Sequence, residues 1–120
     1  MNFLSGQEMH NLAMKIVGDQ LKNSGYEFLS VNSELKKDPQ FVCLKDKKVF
    51  FVIIRAIRFP NNPDYFDLNN FKKIIEHAKS FKAQVFYAGV GLGNPKNLKL
   101  KLEKNQSYTI NYNGLKKIKL

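Results

Sequence analysis

At 120 residues the chain has room for one domain around one core. Its single cysteine, Cys43, excludes a disulfide framework and a cysteine-based metal site, and no stretch reaches transmembrane length. The formal charge of +10 favours acidic partners, nucleic acid above all. Only two of the 20 cations, Arg55 and Arg58, are arginines, so a lysine-rich solubilising surface accounts for the same number.

Ser5-Gly6-Gln7-Glu8 is a capping box, with Leu4 and Met9 placed to close a hydrophobic staple around it. Met9, Leu12, Ala13, Ile16, Val17 and Leu21 then recur at helical spacing, and Gly25 supplies the left-handed stop. This predicts a first helix over Ser5–Ser24. Tyr26–Asn32 alternates as a strand, and Ser33–Pro39 is a polar connecting turn. Gln40–Leu44 and Val49–Arg58 form a predicted hairpin about the charged turn Lys45-Asp46-Lys47-Lys48. The run Val49–Ala56 is apolar at every position except Arg55, as in a central strand covered on both faces. A charge there must find a partner or line a cleft.

Phe59–Asp64, with two prolines and two asparagines, breaks both helix and strand. Asp67 is the expected N-cap of a second helix that buries Phe71, Ile74, Ile75, Ala78 and Phe81 and exposes Lys72, Lys73, Glu76, His77 and Lys79. Ala83–Val90 reads as a second internal strand, followed by a glycine-rich loop through Pro95. Leu98, Leu100 and Leu102, then Tyr108, Ile110 and Tyr112, alternate with polar residues. They suggest two antiparallel edge strands, with Asn113-Gly114 as a hairpin turn. Leu115–Leu120 is either a third short strand or a frayed helix. The whole is an α/β (α+β) chain of order α-β-β-β-α-β with a β tail, a mixed sheet flanked by helices. One domain is expected over residues 1–120, with the core at about 5–93 and the tail at about 97–120.

Cys43, among Phe41, Val42 and Leu44, is expected to be a buried hydrophobe. His10 and His77 are read as exposed or half-exposed helix residues without a ligand pattern around them. Gly89, Gly91 and Gly93 lack the spacing and the following helix of a dinucleotide loop, so they read as the exit from a crowded strand. The chain start does not have the pattern of a signal peptide, and the expected compartment is the cytoplasm, with no membrane partner.

The order and spacing of these elements resemble the PD-(D/E)XK nuclease superfamily, the restriction-endonuclease-like fold, and its short Holliday-junction-resolvase-like branch. The matching segments are Gly25-Tyr26-Glu27-Phe28-Leu29-Ser30-Val31-Asn32, then Asp38-Pro39-Gln40-Phe41-Val42, then Phe51-Val52-Ile53-Ile54-Arg55, and the likeness covers about Leu12 to Val90. The resemblance implies a site in which the family's metal-binding Asp falls on Gln40, its Glu on Ile53 and its Lys on Arg55; a helix-1 Glu would fall near His10 or Met14. A divalent cation needs hard oxygen ligands, which these positions lack, so catalytic residues, metal and cofactor are all expected to be absent. Glu27, Glu34 or Asp38 remain as acidic neighbours able to reach the position, or to pair with Arg55. The chain is also similar to short proteins that carry the name of the Na(+)-translocating NADH-quinone reductase. An iron–sulfur domain of the type found in that enzyme needs four cysteine ligands and this chain has one.

The resulting expectation is a catalytically inactive nuclease-fold protein that binds nucleic acid. Its degenerate site comprises Gln40, Ile53, Arg55 and Asp38, and its nucleic-acid-binding candidates are Arg55, Arg58, Lys36, Lys37, Lys99 and Lys101. A protein-interaction or self-assembly module pairing through edge strands is the alternative, and an active Mg²⁺-dependent nuclease the third reading.

Overall fold

A computed structural model describes residues 2–119; Met1 and Leu120, the ends of the expected domain and the last residue of the 115–120 segment, lie outside the described residues. The chain has a mixed α+β architecture. In order come α1 (Gly6–Asn23), β1 (Glu27–Val31), β2 (Phe41–Lys45), β3 (Lys48–Arg58), a 3-10 turn (Leu68–Phe71), α2 (Lys72–Ser80), β4 (Gln84–Gly93), β5 (Thr109–Tyr112) and β6 (Lys116–Ile118).

The capping box at Ser5 and Glu8 forms as expected. The Glu8 amide donates to Ser5 Oγ at 3.1 Å, and the Ser5 amide donates back to Glu8 Oε1 at 3.0 Å. At the other end Gly25 takes φ +88°, and the amides of Tyr26 and Gly25 reach back to the carbonyls of Leu21 and Lys22, which closes α1 in a Schellman motif. Asp46 and Lys47, with φ of 51° and 65°, turn β2 into β3 by a two-residue loop, with Lys45 opposite Lys48.

The sheet runs β1-β2-β3-β4-β5, with β6 also on β4. β1, β2 and β3 are antiparallel neighbours, and β3 and β4 are parallel, joined by the crossover through α2. Strand period 2 divides β3 between two cores. Val52 and Ile54 face α1, where Ala13, Val17 and Leu21 join Cys43, Ala88 and Leu92, all fully buried. Phe51 and Ile53 face α2, with Val85, Tyr87, Phe71, Ala78 and Ile118. Cys43 is the buried hydrophobe expected, and burial pushes its thiol up to about 11, so it stays protonated at neutral pH.

Several expectations are corrected. β4 continues through its glycines to Gly93 rather than ending at Val90, because glycine is what the site admits: a Cβ on Gly89 would lie 1.8 Å from the Pro63 carbonyl oxygen. Leu98–Glu103 is not a strand. Asn94 and Asn97 bend it: their side-chain oxygens accept from the amides of Lys96 and Lys99, and Asn94 Nδ2 donates to the Lys101 carbonyl. Only Glu103 keeps a ladder contact, an isolated bridge to Phe3. Asn113-Gly114 is not a hairpin turn, since β5 and β6 lie one after the other along β4, opposite Val90–Gly93 and Val85–Tyr87. The short-strand alternative for the last segment is the one formed.

Two side chains also change places. His10 is fully buried, not exposed, and Phe81, expected in the buried stripe of α2, is 60% exposed. Asp67 caps the 3-10 turn by accepting from the Asn69 amide, so α2 itself starts only at Lys72.

Candidate functional site

The parallel ladder of β3 and β4 runs from Phe50–Gln84 to Arg58–Leu92, and Asn70 and Phe71 of the 3-10 turn line recesses beside the carboxyl half of β3. Arg55 emerges there from the buried part of β3 on the α2 face. Its guanidinium makes a fork with the Asp38 carboxylate, Nη1 to Oδ1 at 2.8 Å and Nη2 to Oδ2 at 2.7 Å, and Nη1 also donates to the Ile54 carbonyl. The Phe71 ring lies 5.2 Å from the guanidinium carbon, a cation–π arrangement. The two side chains of the pair are 18% and 15% exposed, so both are largely desolvated and each depends on the other.

Gln40 is fully buried, and both the oxygen and the nitrogen of its amide are engaged. Nε2 donates to Asp38 Oδ1 and to the Lys37 carbonyl, and Oε1 accepts from the Ile54 amide at 2.6 Å. Ile53, one step along β3, is fully buried in the α2 core. The four positions Asp38, Gln40, Ile53 and Arg55 therefore do come together. Of Glu27, Glu34 and Asp38, only Asp38 pairs with Arg55 among the described residues.

These residues do not fit a divalent cation. The one carboxylate is held bidentate by Arg55, the Gln40 oxygen is taken by a backbone amide, and Ile53 offers no donor. Among the described residues no group of three His, Cys, Asp or Glu side chains is placed to hold a metal.

In front of the pair lie two adjoining recesses of about 300 and 380 Å³ that share Asp38 and Asn70. Lys36, Arg55 and Phe71 line one; Lys73 and Ile74 line the other. Three cations thus surround one carboxylate that is already neutralised. Lys36 is held there by a left-handed turn at φ 60° in the loop that also carries Asp38. Lys37 is exposed and contributes its carbonyl to Gln40 rather than its ammonium to the cleft.

Arg58, Lys99 and Lys101 do not join this cleft. Arg58 donates to the Lys99 carbonyl at 3.2 Å, and with Lys101 it borders a separate recess of about 190 Å³ beside Phe3 and Met9. Lys99 and Lys101 sit on the bent segment, not on the strand face predicted for them.

Three participants carry no sequence signal that ties them to the cleft: Phe71 as the ring under Arg55, and Asn70 and Lys73 as lining. Helical spacing marked Phe71 as buried and Lys73 as outward, but no local pattern links either to β3. His10 is one of the two residues near which the resemblance puts a helix-1 position, and it is buried rather than exposed. His10 projects from α1 into the interior, where neither ring nitrogen meets a partner among the described residues. Burial, and then the positive charge of Arg55, hold its pKa below the ordinary value, with Asp38 acting in the opposite sense.

The sequence model of a family described as a domain of unknown function, DUF8840, matches residues 7–118. No curated protein is similar enough to match the chain.

Proposed function

The chain belongs to the DUF8840 family, which it matches from the first turn of α1 to the end of β6, and we propose that it is a catalytically inactive, nuclease-fold protein that binds nucleic acid in the cleft above Arg55. The observation that carries the reading is the cleft lining itself: Lys36, Arg55 and Lys73 around a single carboxylate that Arg55 already neutralises. A phosphate backbone entering it meets uncompensated positive charge, against a background of +10 for the whole chain. The α-β-β-β-α-β order and mixed sheet agree with the restriction-endonuclease-like resemblance. The filled ligand positions support binding without cleavage.

Pairing of an edge strand with a partner is the competing reading, favoured by Leu29 and Val31 on β1, which are 52% and 58% exposed. The edge strands are short or interrupted, however. β1 carries a bulge between Phe28 and Ser30, β5 is four residues long, and β6 is three residues long with two exposed lysines. The cleft is therefore preferred.

The test is binding of labelled DNA and RNA oligonucleotides titrated with salt from about 50 mM upward. Log K falls linearly with log[salt], and the Lys36→Ala/Lys73→Ala double variant lowers that slope by about 2. Mg²⁺ or Mn²⁺ produces no cutting of the bound strands. An absence of binding at the lowest salt, to any oligonucleotide, sinks the proposal.

A further inference from the structure

We infer that His77 and Phe81 form a base-stacking platform for single-stranded nucleic acid, continuing the track that begins at the Lys73 rim of the cleft. The inference rests on the binding role proposed above and names the form of nucleic acid that the site takes. Lys73, His77 and Phe81 are spaced by four residues, so they share one row along α2, about 12 Å from first to last. At the near end Lys73 borders the recess shared with Asp38. At the far end the Phe81 and His77 rings meet edge to face with centroids 4.9 Å apart, and both rest on the buried Phe51 ring, at 6.2 and 5.8 Å. That support fixes the rings while leaving 60% of Phe81 in water.

The exposure of Phe81 follows from how the helix stops. The Ala83 amide donates to the Ala78 carbonyl and the Lys82 amide to the Lys79 carbonyl, a Schellman closure in which Ala83, 3% exposed, turns into the core. The closure leaves Phe81 outside as the helix cap, and Lys79 and Lys82 flank it in sequence. Positive charge around a rigid, exposed aromatic pair complements a polyanion that carries flat, apolar bases. Only an unpaired strand presents those base faces, because a duplex keeps them stacked on one another.

The probe is a fluorescent thymidine oligomer of about twelve nucleotides, within the span such sites cover, measured by anisotropy beside a duplex of the same length. The wild type binds the single strand more tightly than the duplex. Phe81→Ala weakens single-strand binding about tenfold with the salt slope unchanged, and Phe81→Tyr restores it. An unchanged affinity in Phe81→Ala, or an equal loss for duplex, overturns the platform and leaves binding in the cleft standing. A wild type that binds neither oligonucleotide overturns the platform, including the case in which it captures only anionic vesicles or acidic protein, and the cleft reading falls with it when the RNA oligonucleotides of the salt titration do not bind either. Phe81 is a surface ring, and thermal melting of each variant establishes that the fold is intact.

Discussion

On one face of the sheet α1 lays Ala13, Val17 and Leu21, all fully buried, across Val52, Ile54 and Leu92, and the helix is capped at both ends by its own residues. On the other face the nine-residue α2 buries only Ala78 completely, and its own residues supply no side-chain cap at the start. That second face carries the cleft, the Arg55–Asp38 pair and the exposed rings. The strand β3 serves both, since Phe50, Val52 and Ile54 complete a dry apolar layer on one face, while on the other Phe51 and Ile53 lead out to the charge of Arg55. A closed face supplies the stability that allows the opposite face to remain polar and open.

The largest expected effect lies on the closed face. Leu21→Ala removes a fully buried side chain from the α1 contact and costs about 3–4 kcal/mol, measured as a fall in the urea midpoint. The affinity of the folded fraction for oligonucleotide stays at the wild-type value, because Leu21 packs in the α1 core and the cleft lies on the opposite face. A loss of affinity in parallel with stability would show that the two faces are not separable.

A smaller effect, of different origin, is expected at the pair. Arg55→Met strands a carboxylate that is 15% exposed and costs about 2–3 kcal/mol, less than a fully buried ion pair because some solvent reaches it. Adding Asp38→Leu to that variant recovers most of the loss, since two apolar side chains leave no charge unpaired. If the double variant is no more stable than Arg55→Met, the cost arises from the lost Phe71 stacking and not from the orphaned Asp38.

The closed face was also the legible one. The capping box, the Met9 to Leu21 spacing and Gly25 are local signals that act within a few residues, and the structure uses all of them. The apolar run of β3 and its arginine were equally plain, and Asp38 was one of three acids named for Arg55. What could not be read was set by contacts distant in sequence. Phe71 reaches Arg55 only through the crossover that brings α2 over β3. His10 is buried because α1 crosses the sheet there, not because of its neighbours in the chain. Leu98, Leu100 and Leu102 have a strand's alternation, yet only Leu102 is buried, because turns at Asn94 and Asn97 take the backbone away from the ladder. Phe81 followed the apolar stripe and lost its place to Ala83 through the geometry of the helix stop.

The smallest effect probes the place where the two faces meet. His10 belongs to α1, but the charges of Arg55 and Asp38 act on it. Its folded pKa lies below the ordinary value of 6.5, chiefly through burial and then through the Arg55 charge. The unfolded chain therefore binds a proton more readily than the folded one as pH falls. The stability carried by neutral His10 is complete above about 6.5 and is lost progressively below it, through the lower folded value. Thermal melts at pH 8 and pH 5.5 show a lower Tm at the acid value, and His10→Leu narrows that difference. Leucine suits the site because neither ring nitrogen has a protein partner to lose among the described residues. An equal Tm difference in wild type and variant would assign the pH response to other groups and leave the two faces electrostatically independent.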